Sequence, residues 1–293
     1  MQSTVTTWNP TTGCDRISSG CDHCYALTLA KRLKAMGQAK YQTDGDPRTS
    51  GPGFGVALHP PALREPLRWR KARQVFVDSM ADLLHAKVPT DFLAQVWAVM
   101  ALTPQHTYQV LTKRPERYRR VLDGPCRCGD GHPPGLDFRR LVEAHARRLA
   151  PGREVDLVAG WPRANAWLGT SIERDDYVRR ADDLRAAPAA VRFLSLEPLL
   201  GPLPSLDLDR INWVIVGGES GPGARPMDLA WVGDLVQRCE ASSVAVFVKQ
   251  LGAVWARANG ADPKGGHWEQ WPEDLRVRQF PPSTTAQASG AAS

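Results

Sequence analysis

Three cysteines near the start of the chain, Cys14, Cys21 and Cys24, fall in a C-x6-C-x2-C spacing, with Gly13 and Gly20 directly before the first two. Sulfurs that close together on one stretch make too small a cluster for a hydrophobic core and read as a ligand set. A structural zinc site closes with four ligands, whereas three thiolates leave one metal position open to another molecule. A cubane iron–sulfur cluster held by three cysteines has such a free iron, which can pass one electron to whatever binds there. The bland alternative is three ordinary small buried residues.

A second grouping, Cys126, Cys128 and His132, has the donor types for zinc but no identifiable fourth ligand. It lies in residues 123–165, which interrupt the rhythm of the chain and read as an insertion between the fourth and fifth strands. His145 falls on the apolar side of the helical pattern Phe138, Leu141, Val142 and Leu149 and reads as a packed histidine. Cys239 shares an apolar stripe with Trp231, Val232, Leu235 and Val236 and reads as core.

The elements that must position the cysteine loop follow from periodicity. Short apolar or β-branched runs recur at 5–8, 56–59, 75–79, 108–114, 166–171, 192–197, 213–219 and 244–250. Helical patterns separate several of them, for example Phe92, Leu93, Val96, Trp97 and Met100 after Thr90. This alternation implies an α/β fold with a parallel sheet covered by helices: a TIM-like (β/α) barrel, partial or full, with six to eight parallel strands. Directly after the cysteines, Tyr25, Leu29, Leu33 and Met36 predict an amphipathic helix that stops at Gly37. Residues 37–55 read as a long functional loop. The strand runs end in polar residues: Asp78 and Ser79; Thr112, Lys113 and Arg114; Ser171 and Glu173; Glu197; Gly217, Gly218 and Glu219; Lys249 and Gln250. Parallel β/α sheets carry their active sites at that carboxyl edge, so these residues and the cysteine loop are predicted to share a cleft.

The 293 residues suffice for one large domain, expected over 1–280, with a disordered tail at 281–293. Hydrophobic residues at 42% and charged residues at 23% exclude a disordered chain, and no run approaches membrane-spanning length. Without a secretory signal, the six cysteines fit metal or redox use in a reducing cytoplasm better than a disulfide framework. The net charge of +6 is mostly arginine, at 64, 68, 70 and 73 and again at 114, 117, 119 and 120. Guanidinium groups suit phosphate, but base-biased genomes also enrich arginine, so a nucleic-acid surface and a solvated basic face both remain open.

The segments Thr7–Cys14, the Cys21-x2-Cys24-Tyr25-Ala26 continuation, Leu111–Pro115, Glu197-Pro198-Leu199, Gly217–Gly221 and Lys249-Gln250 resemble the phage-associated three-Cys-motif proteins. That family has no known function and is similar to radical S-adenosylmethionine (SAM) enzymes; the likeness spans about residues 4–252. It implies a [4Fe-4S] cluster on Cys14, Cys21 and Cys24, with SAM chelated at the open iron through its amino and carboxylate groups. Reductive cleavage would give methionine and a 5′-deoxyadenosyl radical that takes hydrogen from the substrate, with flavodoxin or ferredoxin as external electron donor. Six residues separate the first two cysteines where three are usual, and His23 stands where an aromatic residue is common. Gly217, Gly218 and Glu219 resemble the SAM amino-group motif, but that motif normally follows the second strand, so Asp78 and Ser79 are rivals for the methionyl part. Ser171 and Glu173 resemble a ribose-contacting motif, while Lys113, Arg114, Glu197 and Lys249 suit substrate binding or proton transfer.

The leading expectation is a radical SAM enzyme acting on a nucleic acid base or nucleotide, as in DNA modification or repair. Its rivals are a non-catalytic zinc or Fe–S nucleic-acid-binding module and a metal-independent hydrolase using Glu197 and Glu219 as acid and base.

Overall fold

The structure is a computed structural model and describes residues 6–126, 132–153, 155, 157 and 160–282. The chain forms two compact units. The first comprises Met1–Ile17, Ala26–Leu168 and Ala186–Ala190; the second comprises Ser18–Tyr25, Gly169–Arg185 and Val191–Ser293.

The first unit holds strand β1 (Thr6–Trp8), the short strands β2 (Thr11–Thr12) and β3 (Ala57–Leu58), then β4 (Gln74–Val77) and β5 (Thr107–Thr112). Strand β6 (Ala166–Ser171) gives its first three residues to the first unit and its last three to the second. Strands β7 (Arg192–Leu196), β8 (Trp213–Gly217) and β9 (Ala245–Gln250) belong to the second. One seven-stranded parallel sheet runs in the order β1-β4-β5-β6-β7-β8-β9, the sequential order of a β/α barrel and within the six to eight strands expected. Thr7 pairs with Phe76, Phe76 with Gln109, Leu194 with Val214, and Val214 with Val246. The run at 56–59 departs from expectation. Its β3 pairs antiparallel with β2, outside that sheet, and Pro60 and Pro61 end it because proline has no amide to donate.

Alternation explains which strand side chains turn inward. In β4, Val75 and Val77 are buried while Gln74 and Phe76 are half-buried. Helix α1 (Tyr25–Ala35) follows the cysteine loop, and α2 (Thr90–Leu102) has every residue from Phe92 onward buried except Gln95, the mark of a helix that packs on all sides. After α3 (Glu116–Leu122), α4 (Leu136–Leu149) packs along α2. The expected insertion is therefore partly core of the first unit, and buried His145 sets Nε2 2.8 Å from Asp91 Oδ1. The second unit adds α5 (Arg179–Arg185), α6 (Leu229–Ala241) and α7 (Ala253–Ala258). Asp228 caps α6 by accepting from the Ala230 amide, and Cys239 is core as expected, its thiol pushed up to about 12 by burial.

Helix α1 forms where predicted, but the predicted stripe is not its buried face. Ala26 and Ala30 are its buried residues, whereas Tyr25, Leu29 and Met36 are exposed. Small alanines let the helix approach its neighbours closely, so the bulky stripe is turned to solvent. Among the described residues no helix is long and apolar enough to cross a membrane. Most of the expected tail, residues 283–293, lies outside the described residues.

Candidate functional site

In the first unit, polar groups gather after β1, β4 and β5. Asp78 ends the β4 run with a left-handed backbone, φ 58°, uncommon for any residue but glycine. That turn aims its carboxylate at Thr11, whose amide and hydroxyl donate to it at 3.0 and 2.6 Å. Burial pushes the Asp78 carboxyl up to about 7, helped by neighbouring Asp82 and opposed by the Thr11 hydrogen bonds and Lys40. Beside it, Ser79 donates to Asn9 Oδ1 at 3.1 Å.

Asp82, buried, accepts from the Thr112 hydroxyl at 2.7 Å, from the Lys113 amide at 3.4 Å and from Arg114 Nη1 at 2.7 Å. So fixed, Arg114 reaches Cys14 Sγ with the same nitrogen at 3.4 Å and the Asp15 carbonyl with Nη2 at 3.0 Å. A guanidinium in that place favours negative charge on sulfur. Desolvation works against the Arg114 cation, yet Asp82 and Cys14 outweigh it and raise its proton affinity. Asp15 accepts from Thr49 and Ser50 at 2.7 and 3.0 Å and lies 2.9 Å from His85 Nε2. Burial alone would lift this carboxyl, but those three partners hold it below the usual range. The 43–55 loop thus lies over Cys14, whose amide donates to the Phe54 carbonyl at 3.3 Å. A Cβ at Gly13, where φ is +87°, would strike the Gly55 carbonyl oxygen.

In the second unit, Ser18–Cys24 is tied down by side chains that follow β6 and β8. Ser18 Oγ donates to Glu173 Oε1 at 3.0 Å and lies 3.6 Å from Cys21 Sγ. Glu173 is wholly buried, and its other oxygen takes Arg180 Nη1 at 3.0 Å. A Cβ at Gly20 would collide with the Glu173 side chain. Tyr177 accepts the Ser19 amide at 3.3 Å, and Arg225 donates to the Ser19 carbonyl at 3.0 Å. Arg225 also grips Glu219 with two nitrogens, at 2.5 and 2.9 Å, while His23 Nδ1 lies 3.1 Å from Glu219 Oε2. Desolvation pushes the Glu219 carboxyl up, but Arg225 and His23 prevail and hold it low, a poor state for a general acid. Nearby in the same unit, Lys249 Nζ lies 3.1 and 3.3 Å from the two Glu197 oxygens, and Ser195 donates to Glu197 at 3.2 Å. A Cβ on Gly217 would come within 2.6 Å of Glu197 Oε1, and the Gly218 carbonyl accepts from Gln250 at 2.8 Å.

Cys14, Cys21 and Cys24 are free thiols. Among the described residues no group of three or more His, Cys, Asp or Glu side chains is arranged to hold a metal ion, so the ligand set rests on the loop's spacing and sulfur chemistry. Cys126 is disulfide-bonded, a state in which its sulfur is no thiolate ligand, and Cys128 lies outside the described residues.

The sequence pattern of a family described as "Protein of unknown function (DUF5131)" matches residues 1–273. The chain belongs to that family. No curated protein and no solved structure matches it.

Within this DUF5131 chain, the candidates from the sequence sort by partner. Glu197 pairs with Lys249, and Arg114 with Asp82 and Cys14. Ser171 offers its carbonyl to Arg180, whose same nitrogen binds Glu173. Sequence reasoning missed Thr11, Asp15, Asp82, His85, Arg180 and Arg225. Only Asp82 carried a signal, as a second carboxylate four residues after Asp78.

Proposed function

We propose that the chain is a radical SAM enzyme with a [4Fe-4S] cluster on Cys14, Cys21 and Cys24, acting on a nucleic acid base or nucleotide. The observation that carries this reading is the polar scaffold around the cysteine loop. Two anchored carboxylates, Glu173 and Glu219, hold the stretch bearing Cys21 and Cys24, and a carboxylate-fixed arginine donates to Cys14 sulfur. Three thiols outside any disulfide, one of them with a guanidinium donor on its sulfur, suit an anionic sulfur-ligated group. Bound there, the cluster would supply the single electron that cleaves SAM.

The chain's own residues would do the rest. Ser18, Ser19 and His23 fix the loop, Arg114 spreads positive charge over Cys14, and Lys249, more than half exposed, presents a cation held by Glu197. Support for a nucleic-acid substrate comes from the exposed cations Arg68, Arg70, Lys71 and Arg73 in the first unit.

Anaerobic reconstitution with iron and sulfide, then dithionite and SAM, should release 5′-deoxyadenosine, and Cys14, Cys21 and Cys24 replaced together by alanine should release none. Stoichiometric zinc without iron, or a cluster that never cleaves SAM, would favour the binding-module alternative and overturn the reading.

A further inference from the structure

In the first unit, residues 64–73 carry five cations, Arg64, Arg68, Arg70, Lys71 and Arg73, against one acid, Glu65. Hydrogen bonds fix where the stretch lies. The Thr107 amide, at the start of β5, donates to the Arg73 carbonyl at 2.9 Å, and Arg73 Nη1 donates at 3.3 Å to Thr6 Oγ1, in the first residue of β1. Trp69 meets His106 edge-on just before β5, with ring centroids 5.5 Å apart, and Arg73 leads directly into β4. The cluster therefore sits where β1, β4 and β5 begin, whereas Asp78, Ser79, Lys113 and Arg114 lie where β4 and β5 end. From Arg73 to Asp78 the chain runs about 16 Å at the rise of a strand.

An arginine-rich composition can raise the number of cations anywhere, but it does not decide their partners. Arg114, Arg180 and Arg225 are each taken by a carboxylate. Arg64 turns one nitrogen to the Leu149 carbonyl. Arg68, Arg70, Lys71 and Arg73 are exposed and enter no ion pair among the described residues, and neither does exposed Glu65. The neighbouring segments that lead into β5 and β6, 103–107 and 160–165, contain no acid; Glu154 and Asp156 lie outside the described residues. In the middle of the four cations stands Trp69, half-buried, with the Arg73 guanidinium 5.0 Å from its ring centroid.

Cations interleaved with a partly exposed indole have the two parts that single-stranded nucleic acid requires, charge for its phosphates and a flat ring for a base. We propose that segment 68–73 is an accessory site that grips single-stranded nucleic acid by its backbone, without reading sequence, at the opposite end of the strands from the polar residues after β4 and β5. Phosphates take Arg68, Arg70 and Lys71. A base stacks on Trp69, and Arg73 leaves the ring for a phosphate of its own. The strand ends are too far apart for one nucleotide to reach both, so this segment holds strand that flanks the reacting nucleotide. The inference deepens the nucleic-acid half of the reading above and rests on that half alone; neither cluster nor SAM enters it.

The test titrates a labelled single-stranded DNA oligonucleotide of mixed sequence with the full chain and reads anisotropy over a range of salt. Four phosphate contacts should give a slope of log affinity against log salt of about −3. Arg70→Glu/Lys71→Glu should weaken binding about tenfold or more and cut that slope by about half. Trp69→Ala, checked for folding by its melting temperature, should cost about fivefold or more. Arg119→Glu/Arg120→Glu changes net charge equally through two exposed cations of α3 and should bind like wild type. Equal losses in the two double variants would overturn the inference, since net charge would then be the cause. So would tighter binding of the matching duplex, a folded Trp69→Ala chain that binds as wild type does, or binding to phosphatidylserine vesicles in place of the oligonucleotide. Oligonucleotide binding that survives Arg70→Glu/Lys71→Glu removes this site and leaves a nucleic-acid substrate standing, whereas a wild-type chain that binds no nucleic acid removes both.

Discussion

Glu173 and Asp78 are both carboxylates shut away from water just beyond strands of the same sheet, and they meet that burial in different ways. Glu173 is matched by the Arg180 guanidinium and the Ser18 hydroxyl, so its charge is answered on the spot. Asp78 has only the neutral donors of Thr11, with Asp82 as a like-charged neighbour, and its proton affinity climbs to about 7. The pair separates two uses of a buried acid: one anchors a loop, the other can gain or lose a proton near neutrality.

The largest expected effect comes from breaking the anchor. Glu173→Ala leaves Arg180, itself buried, without its counter-charge and frees Ser18, and chemical denaturation should show a loss of about 3–5 kcal/mol. Glu173→Gln keeps an acceptor for Ser18 and should cost less; equal costs would mean that the charge, which both variants lose, is what matters at this position and that the retained acceptor adds nothing. Gly217→Ala is intermediate, because its methyl must displace the Glu197 carboxylate that binds Lys249. Crowding of that kind should cost about 1–3 kcal/mol in the same assay. A cost near zero would show that Glu197 moves freely.

Asp78→Asn sharpens the contrast with the smallest effect, and through pH. A carboxyl whose folded-state value lies above its unfolded one contributes stability that is full below about 4 and is lost as pH rises through about 7. Asp15 and Glu219, held low, contribute in the opposite sense and only in more acid solution, as pH falls through their folded-state values. Between pH 5 and 8 the wild-type melting temperature should therefore decline more steeply than that of Asp78→Asn. Parallel curves would place the Asp78 titration outside that window.

Much of the sheet was legible because buried parallel strands write themselves as short apolar runs. Val75 to Ser79 and Trp213 to Glu219 announce both a strand and the polar turn after it. The partners were not legible, since Ser18 meets Glu173 across 155 residues and His23 meets Glu219 across 196. No local pattern encodes such a pairing. Nor does periodicity say which face of an amphipathic helix turns inward. In α1 the bulky stripe looked like core, but the small residues beside it, Ala26 and Ala30, are the ones buried. Asp78 was visible as a polar residue after a strand, whereas its left-handed backbone, which sets its direction, was not.

Gly13 carries a last consequence. With no room for even a methyl group between position 13 and the Gly55 carbonyl, the 43–55 segment is held at a fixed height over the neighbouring sulfur. Surface loops usually drift in length among related chains without harm. This one is gauged at both ends, by the Phe54 carbonyl on Cys14 and by Thr49 and Ser50 on Asp15, so one residue added or lost would shift the ground on which Cys14 stands.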